Sequence, residues 1–162
     1  MREATLADIP TIRAIAQATW HVVYENIISE GQIEYMLDLM YSEAALHEQM
    51  VNKGHRFLML EIAGSAVGYA GLEHRYAGMH RSRLHKLYVL PETQGTGAGR
   101  ALLEAVLAEV RTAGDRSIEL NVNRFNRSTD FYRHMGFMVE RDEVLDIGHG
   151  YVMDDHVMVK HL

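Results

Sequence analysis

Residues 83–122 read as a strand, a glycine-rich turn, a long amphipathic helix and a second strand. Arg83 to Leu90 ends on the apolar run Leu87-Tyr88-Val89, and Pro91–Gln94 breaks it. From Gly97 to Ala113 the residues Leu103, Val106, Leu107 and Val110 make one stripe, and Gly114 stops the helix. Ser117 to Val122 is the next strand. A crossover of this kind joins parallel neighbours. One parallel strand pair therefore anchors whatever else the chain builds.

The flanking segments supply the rest of a mixed sheet. Residues 1–4 are a short first strand. Thr5 and Asp8 form a capping box, and Pro10 sits in the first turn of a helix that runs to Val23. Ile33, Met36, Leu37 and Met40 mark a second helix over Glu30–Met40; Ser42 caps a third, which ends at Gly54. Phe57–Ile62 and Ala66–Glu73 flank the turn Ala63-Gly64-Ser65 as a hairpin. Ser128 to Met135 is a short helix closed by Gly136, and Phe137–Leu145 and Tyr151–His161 meet through Gly148–Gly150. The order β-ααα-β-β-β-α-β-α-β-β predicts an α/β (α+β) fold. With no repeat and no linker, residues 1–162 are read as a single domain.

Composition narrows the function. The chain has no cysteine, which removes a disulfide scaffold, a thiolate nucleophile and Cys-ligated zinc. The net charge is −6, the reverse of the balance that phosphate-binding duplex readers carry, so no nucleic-acid partner is expected. No apolar run reaches membrane-span length and the first residues lack a signal-peptide core, so a cytoplasmic protein without a membrane partner is expected.

The turn Gln94-Gly95-Thr96-Gly97-Ala98-Gly99-Arg100 carries the first chemical signal. Glycines let the backbone approach a ligand, and the free N–H groups at a helix start attract phosphate. Arg100 adds a charge-assisted donor. The pattern is neither a P-loop nor a dinucleotide fingerprint. The second signal is Asn126-Arg127-Ser128-Thr129-Asp130-Phe131-Tyr132-Arg133-His134-Met135-Gly136-Phe137. Alone it reads equally well as a short helix with an aromatic anchor.

Together, Q-x-x-G-x-G at Gln94–Gly99, its lead-in Leu87-Tyr88-Val89-Leu90-Pro91-Glu92, and F-Y-x-x-x-G-F at Phe131–Phe137 resemble the GNAT superfamily of acetyl-CoA-dependent N-acetyltransferases. The resemblance is strong over residues 83–139. The ending Tyr151-Val152-Met153-Asp154-Asp155-His156-Val157-Met158 is similar to polyamine-type relatives. It implies a mixed central sheet with a splayed parallel strand pair flanked by helices, opening near Val89 and Val122. It implies acetyl-CoA as cosubstrate, with Leu87, Tyr88 and Val89 along the pantetheine and thioester, Gln94, Gly95, Thr96, Gly97, Ala98, Gly99 and Arg100 at the pyrophosphate, and Asn126 on the pantetheine arm. It implies Tyr132 as general acid to the leaving sulfur and direct transfer to a primary amine of a small molecule, polyamine- or aminoglycoside-like. A protein lysine or N-terminus is the alternative acceptor, and a non-catalytic CoA sensor the alternative role. Many members space the asparagine seven residues before the tyrosine; Asn126 stands six before Tyr132, and Asn123 nine.

The base stays open among Glu73, His74, His85 and Glu119. Trp20, His21, Tyr24, Glu25, Tyr35, Met36, Met40, Tyr41 and Asp146–Asp155 are expected around the acceptor, with Asp142, Glu143, Asp146, Asp154 and Asp155 as an acidic cluster. His74, His80 and His85 match no metal spacing, so no metal is expected. The late strands offer edges through which a homodimer would form.

Overall fold

The structure is a computed structural model that describes residues 1–162. Strands β1 (Arg2–Glu3), β2 (Arg56–Ile62), β3 (Ser65–Glu73), β4 (Arg81–Val89), β5 (Ser117–Asn123), β6 (Met138–Gly148) and β7 (Tyr151–His161) form one sheet. Its order is β1-β2-β3-β4-β5-β7-β6, and only β4 and β5 run parallel. Helices α1 (Ile9–Val23), α2 (Glu30–Tyr41) and α3 (Glu43–Val51) lie on one face; α4 (Ala98–Thr112) and α5 (Ser128–His134) lie on the other. The expected architecture is borne out, with element ends within a few residues of those read from the pattern.

Two apolar layers follow from that arrangement. Leu102, Leu103, Val106 and Val110 of α4 pack on Leu72, Leu84, Ile118 and Leu120. On the opposite face Ile12, Trp20, Ile33 and Leu46 pack on Phe57, Met59 and Tyr69. Local chemistry sets the breaks. Ser29 and Ser42 accept hydrogen bonds from the backbone N–H of Gln32 and Ala45 and start α2 and α3. Ala63 and Gly64 both take positive φ, which makes the two-residue turn that a twisted hairpin prefers. No helix is long and apolar enough to cross a membrane.

The final hairpin enters the sheet by its second strand. β7 pairs with β5 through Asp155–His161, and β6 becomes the outer edge. The reason is composition. Val157, Met158 and Val159 are buried, whereas β6 carries Glu140, Arg141, Asp142 and Glu143 with Met138, Val144 and Leu145 exposed.

One irregularity shapes the centre. Leu72 pairs with Leu84 but Gly71 pairs with Lys86, so His85 is an extra residue in β4. Such a bulge bends its strand and raises the local twist. The parallel ladder between β4 and β5 ends one residue earlier, at Leu84↔Leu120. Beyond it, the edge of residues 85–89 that faces β5 has no strand partner. The bulge also switches faces: Leu84 points at α4, while Lys86 points the other way, between Tyr41 and Phe57.

Lys86 is buried there, with its ammonium donating to Gln49 Oε1 at 2.7 Å. Burial pushes it down to about 8, from the 10.5 of a free lysine. The unfolded chain therefore holds more protons between those two values, and stability rises with pH across that window. Below it, the folded state carries a charged group in an apolar layer. Lys86→Met is expected to flatten this dependence, with a change at pH 7 within about 2 kcal/mol, because relief of the buried charge is offset by the Gln49 Oε1 left without its donor. Denaturant melts at pH 7 and pH 10 for both proteins check it.

Candidate active site

The opened strand pair is the mouth of a cleft of about 1290 Å³. That exceeds the roughly 300–1,000 Å³ of a pocket for one drug-sized ligand. Residues 84–89 of β4 and 120–122 of β5 form its walls. The end of α1 and the loop after it (residues 22–27) close one side, and the start of α4 and residues 125–135 close the other.

Most of the expected residues meet here. Leu87, Tyr88, Val89, Gln94, Gly95, Gly97, Gly99, Arg100, Asn126 and Tyr132 all line the cleft. Thr96 and Ala98 do not: the Thr96 hydroxyl folds back to donate to the Thr93 carbonyl at 2.6 Å, and Ala98, the first residue of α4, packs into the apolar layer beneath the helix. Tyr88 contributes backbone, because its ring turns into the α1 layer, where its hydroxyl lies 3.2 Å from that of Tyr24.

The turn before α4 is preorganised for an anion. A 3-10 turn at Pro91–Thr93 leads into Gly95, and Gly97 caps α4 with φ 89°. That left-handed conformation is one that glycine takes without steric cost. No side chain caps the helix. Its first N–H groups are thus left for a ligand, and the helix dipole favours negative charge. The Arg100 guanidinium, at the same end, donates to Glu104 at 2.9 Å on the exposed face.

Tyr132 sits across the cleft, on α5. Its ring packs edge-on against Phe131 and Phe137, with centroids 5.2 and 5.6 Å away. Burial pushes its phenol well above the usual range, so it stays protonated at every physiological pH. Asn126 opens α5: its Oδ1 accepts from the Ser128 N–H at 2.8 Å and its carbonyl from the Thr129 hydroxyl at 2.9 Å. The amide nitrogen of this cleft-lining side chain faces the Tyr24 hydroxyl, and its second N–H is the donor left over. Asn123 is occupied locally, its Oδ1 accepting from the Phe125 N–H.

The four base candidates separate. Glu119 is buried and gripped by Arg81 and Arg83, each at 2.9 Å. His74 bonds Ser82, which donates to buried Asp115, and it does not line the cleft. His85 lines the cleft at the root of the opening, with its Nε2 3.0 Å from Glu73 Oε2. Burial, helped by nearby Lys86, pushes its imidazole down to about 3, so it is neutral.

The acidic cluster splits into different roles. Asp154 and Asp142 pair with Arg124, and Asp142 also with His156. Asp155 turns inward and is buried; its carboxylate has a single hydrogen bond, from cleft-lining Asn121 at 3.3 Å. Burial pushes its carboxyl up. The hairpin tip reaches α2, where the Tyr35 hydroxyl donates to the Ile147 carbonyl at 2.6 Å and Gln32 to that of Val152 at 2.8 Å. A Cβ on Gly31 would meet the Tyr151 hydroxyl at 2.8 Å, so this contact needs a residue without one. Phe125, Phe131 and Met135 were not singled out as cleft residues by the sequence; their place after a strand end, next to Asn126, was the available signal.

Known proteins carry the same arrangement. The model of the acetyltransferase (GNAT) domain matches residues 24–152. An uncharacterised N-acetyltransferase of Mycobacterium tuberculosis is 31% identical, over 97% of this chain and 99% of its own. The spermidine N(1)-acetyltransferase of Thermoplasma acidophilum is 26% identical, over 86% of this chain and 88% of its own. The crystal structure of the PaiA N-acetyltransferase from Thermoplasma acidophilum, in complex with coenzyme A, superposes with a TM-score of 0.84 at 25% identity, covering 99% of this chain and 97% of that one. With the family model spanning most of its length and the opened β4–β5 pair at its centre, this chain belongs to the GNAT family of N-acetyltransferases.

Proposed function

We propose that the protein moves an acetyl group from acetyl-CoA directly to a primary amine of a small, cationic molecule of polyamine or aminoglycoside type. The observation that carries this reading is the meeting, in one cleft, of an unpaired β4 edge, an uncapped glycine turn and a protonated tyrosine. The pantetheine adds to the free edge as a strand would. The pyrophosphate takes the N–H groups of Gly97 to Arg100, and the Asn126 amide steadies the arm. The PaiA complex supports the cosubstrate.

The chemistry is a direct displacement. The amine nitrogen attacks the thioester carbonyl, a C–N bond forms, and the C–S bond breaks as the tetrahedral species collapses. Tyr132 gives its proton to the departing sulfur. A phenol is intrinsically the weaker acid than a thiol, but the same burial also disfavours a free thiolate, so proton and charge move together. His85, the one base candidate on the cleft wall, is too weakly basic to keep the proton of the nitrogen and only passes it on, through its hydrogen bond to Glu73, to that carboxylate or to water.

Two features support the acceptor class. Asp155 and Glu143 both accept from the amide of cleft-lining Asn121, at 3.3 and 3.0 Å, and Arg83, which donates to the same side chain at 3.0 Å, is the one cation beside them. Two carboxyl groups to one guanidinium leave this end of the cleft wall acidic, which favours a cationic amine. The hydrogen bonds between α2 and the hairpin tip leave no open groove between those two elements for an extended peptide. The spermidine-acetylating relative points the same way.

Thermal unfolding with saturating acetyl-CoA tests the cosubstrate. At 100 times its dissociation constant a ligand adds about 2.7 kcal/mol. For a chain of this size that raises Tm by roughly 5–10 °C. NAD and ATP are expected to give no comparable rise. Gly97→Val, which cannot hold φ 89°, is expected to lose the acetyl-CoA shift. A larger rise with NAD or ATP would assign the turn to another ligand. An amine panel read by free-thiol release then tests the acceptor: turnover with polyamines or aminoglycosides is expected, and turnover with peptides alone would reverse the choice.

A further inference from the structure

The bulge at His85 brings together three side chains that cofactor binding does not need. His55 lies in the turn between α3 and β2, Glu73 ends β3, and His85 is the extra residue of β4. Nε2 of His55 and Nε2 of His85 lie 3.4 and 3.0 Å from the same Glu73 oxygen. One ligand atom from each of the three lies within 4.8 Å of the others. We propose that His55, Glu73 and His85 form a binding site for a divalent transition-metal ion, best matched by Zn2+, with the remaining position left to water.

The chemistry of the donor set argues for it. Two imidazoles and one carboxylate are a ligand set that zinc takes in tetrahedral sites, with bonds of about 2.0–2.2 Å. Such bonds separate neighbouring ligand atoms by about 3.3 Å. The two His–Glu separations already match. Carboxylate-only and carbonyl ligation, which calcium and magnesium prefer, is absent from this cluster.

The cluster's own hydrogen bonding leaves it under-satisfied. A single Glu73 oxygen serves both rings, and Nδ1 of His55 is buried with no partner. Histidines that only fill a core usually satisfy both nitrogens. The rings are stacked, with centroids 4.2 Å apart and planes 12° from parallel. An ion between them would lie outside both planes, so binding turns each ring about its Cβ–Cγ bond. Lys86 and Lys53 are near enough to both rings to oppose a cation. The affinity expected is therefore well below that of a closed four-ligand zinc site.

An ion here would fix His85 in the cleft wall and place positive charge at the root of the opening. If the acetyl transfer proposed above is correct, Zn2+ acts as a brake on turnover with cationic amines. The binding site itself does not depend on that reading.

The test uses the full, metal-free chain. Zn2+ is titrated against a chromophoric chelator, and Co2+ is titrated in parallel for its tetrahedral absorption. One ion per chain and a tetrahedral Co2+ spectrum are expected. Loss of an outer partner of a metal ligand costs roughly 10–100-fold in affinity. Loss of a ligand itself should cost at least about 100-fold, so His55→Gln and Glu73→Gln are each expected to weaken Zn2+ by that much and to abolish the Co2+ bands. His21→Gln, in the exposed His21–Glu30–Glu34 group, is the control and should change neither. Circular dichroism identifies a variant that fails to fold, and the other variant then decides. Absence of stoichiometric binding, or binding equal in wild type and both ligand variants, overturns the site. Either result leaves the acetyl-CoA shift and amine turnover unchanged, so the two proposals fail separately.

Discussion

Tyr132→Phe is expected to lower turnover roughly 10²–10⁴-fold while acetyl-CoA affinity stays within a few-fold. The ring is held by Phe131 and Phe137, so removing one oxygen leaves the packing intact. The cost falls on the leaving sulfur, which loses its proton source inside a buried cleft. Because burial keeps the phenol protonated, no alkaline loss of activity near pH 10 should trace to this group. Free-thiol release at saturating acetyl-CoA measures the rate, and the thermal shift reads the affinity. Unchanged turnover would remove Tyr132 from the mechanism and leave water as the donor. Loss of the thermal shift would make the hydroxyl a binding group instead.

Phe137→Ala is expected to be the most damaging single truncation near the site. Phe137 is 2% exposed, stacks edge-on with Tyr132, and donates its backbone N–H to the Tyr132 carbonyl at 3.0 Å. Deleting a buried phenyl ring costs about 3–5 kcal/mol, the transfer energy plus the cavity left behind. In a chain of this length that is a fall of roughly 10 °C in Tm. Turnover measured well below the new Tm should fall too, since Tyr132, the proposed acid, loses one of its two aromatic walls. Phe137→Leu refills much of the volume and should recover most of both losses. A change of under about 3 °C for the alanine variant would show that the ring is not part of the core.

How much of this was readable before folding depended on where the information lies. Helix and strand positions were legible because apolar spacing and glycine stops record them locally. Gly97 and Tyr132 were legible because they sit in compact motifs. The insertion of β7 between β5 and β6 was less so, although Val157-Met158-Val159 against Glu140–Glu143 carries the reason. The bulge was invisible. Ser82, Leu84, Lys86 and Tyr88 keep an even alternation in sequence, yet Leu84 and Lys86 face opposite layers. A lysine in an apolar rhythm was the one local hint. The acidic residues looked like one cluster, but Arg124 pairs with Asp142, which His156 also contacts, while Asp155 turns inward. Pairing over long sequence distances decides such fates, and no local pattern encodes it.

The His85 insertion has a bearing on how such a cleft arises and disappears. No point substitution can remove a residue, so the slot between β4 and β5 is insulated from ordinary mutational drift. Loss of one codon is a different event. Without residue 85, Leu84 and Lys86 would keep the faces they have now, and both apolar layers would keep their members. Only the bend would go, and the parallel ladder could then close past Leu120. If the cosubstrate binds in that slot as proposed, binding and non-binding versions of this sheet stand a single in-frame deletion apart, with nearly the same core in each.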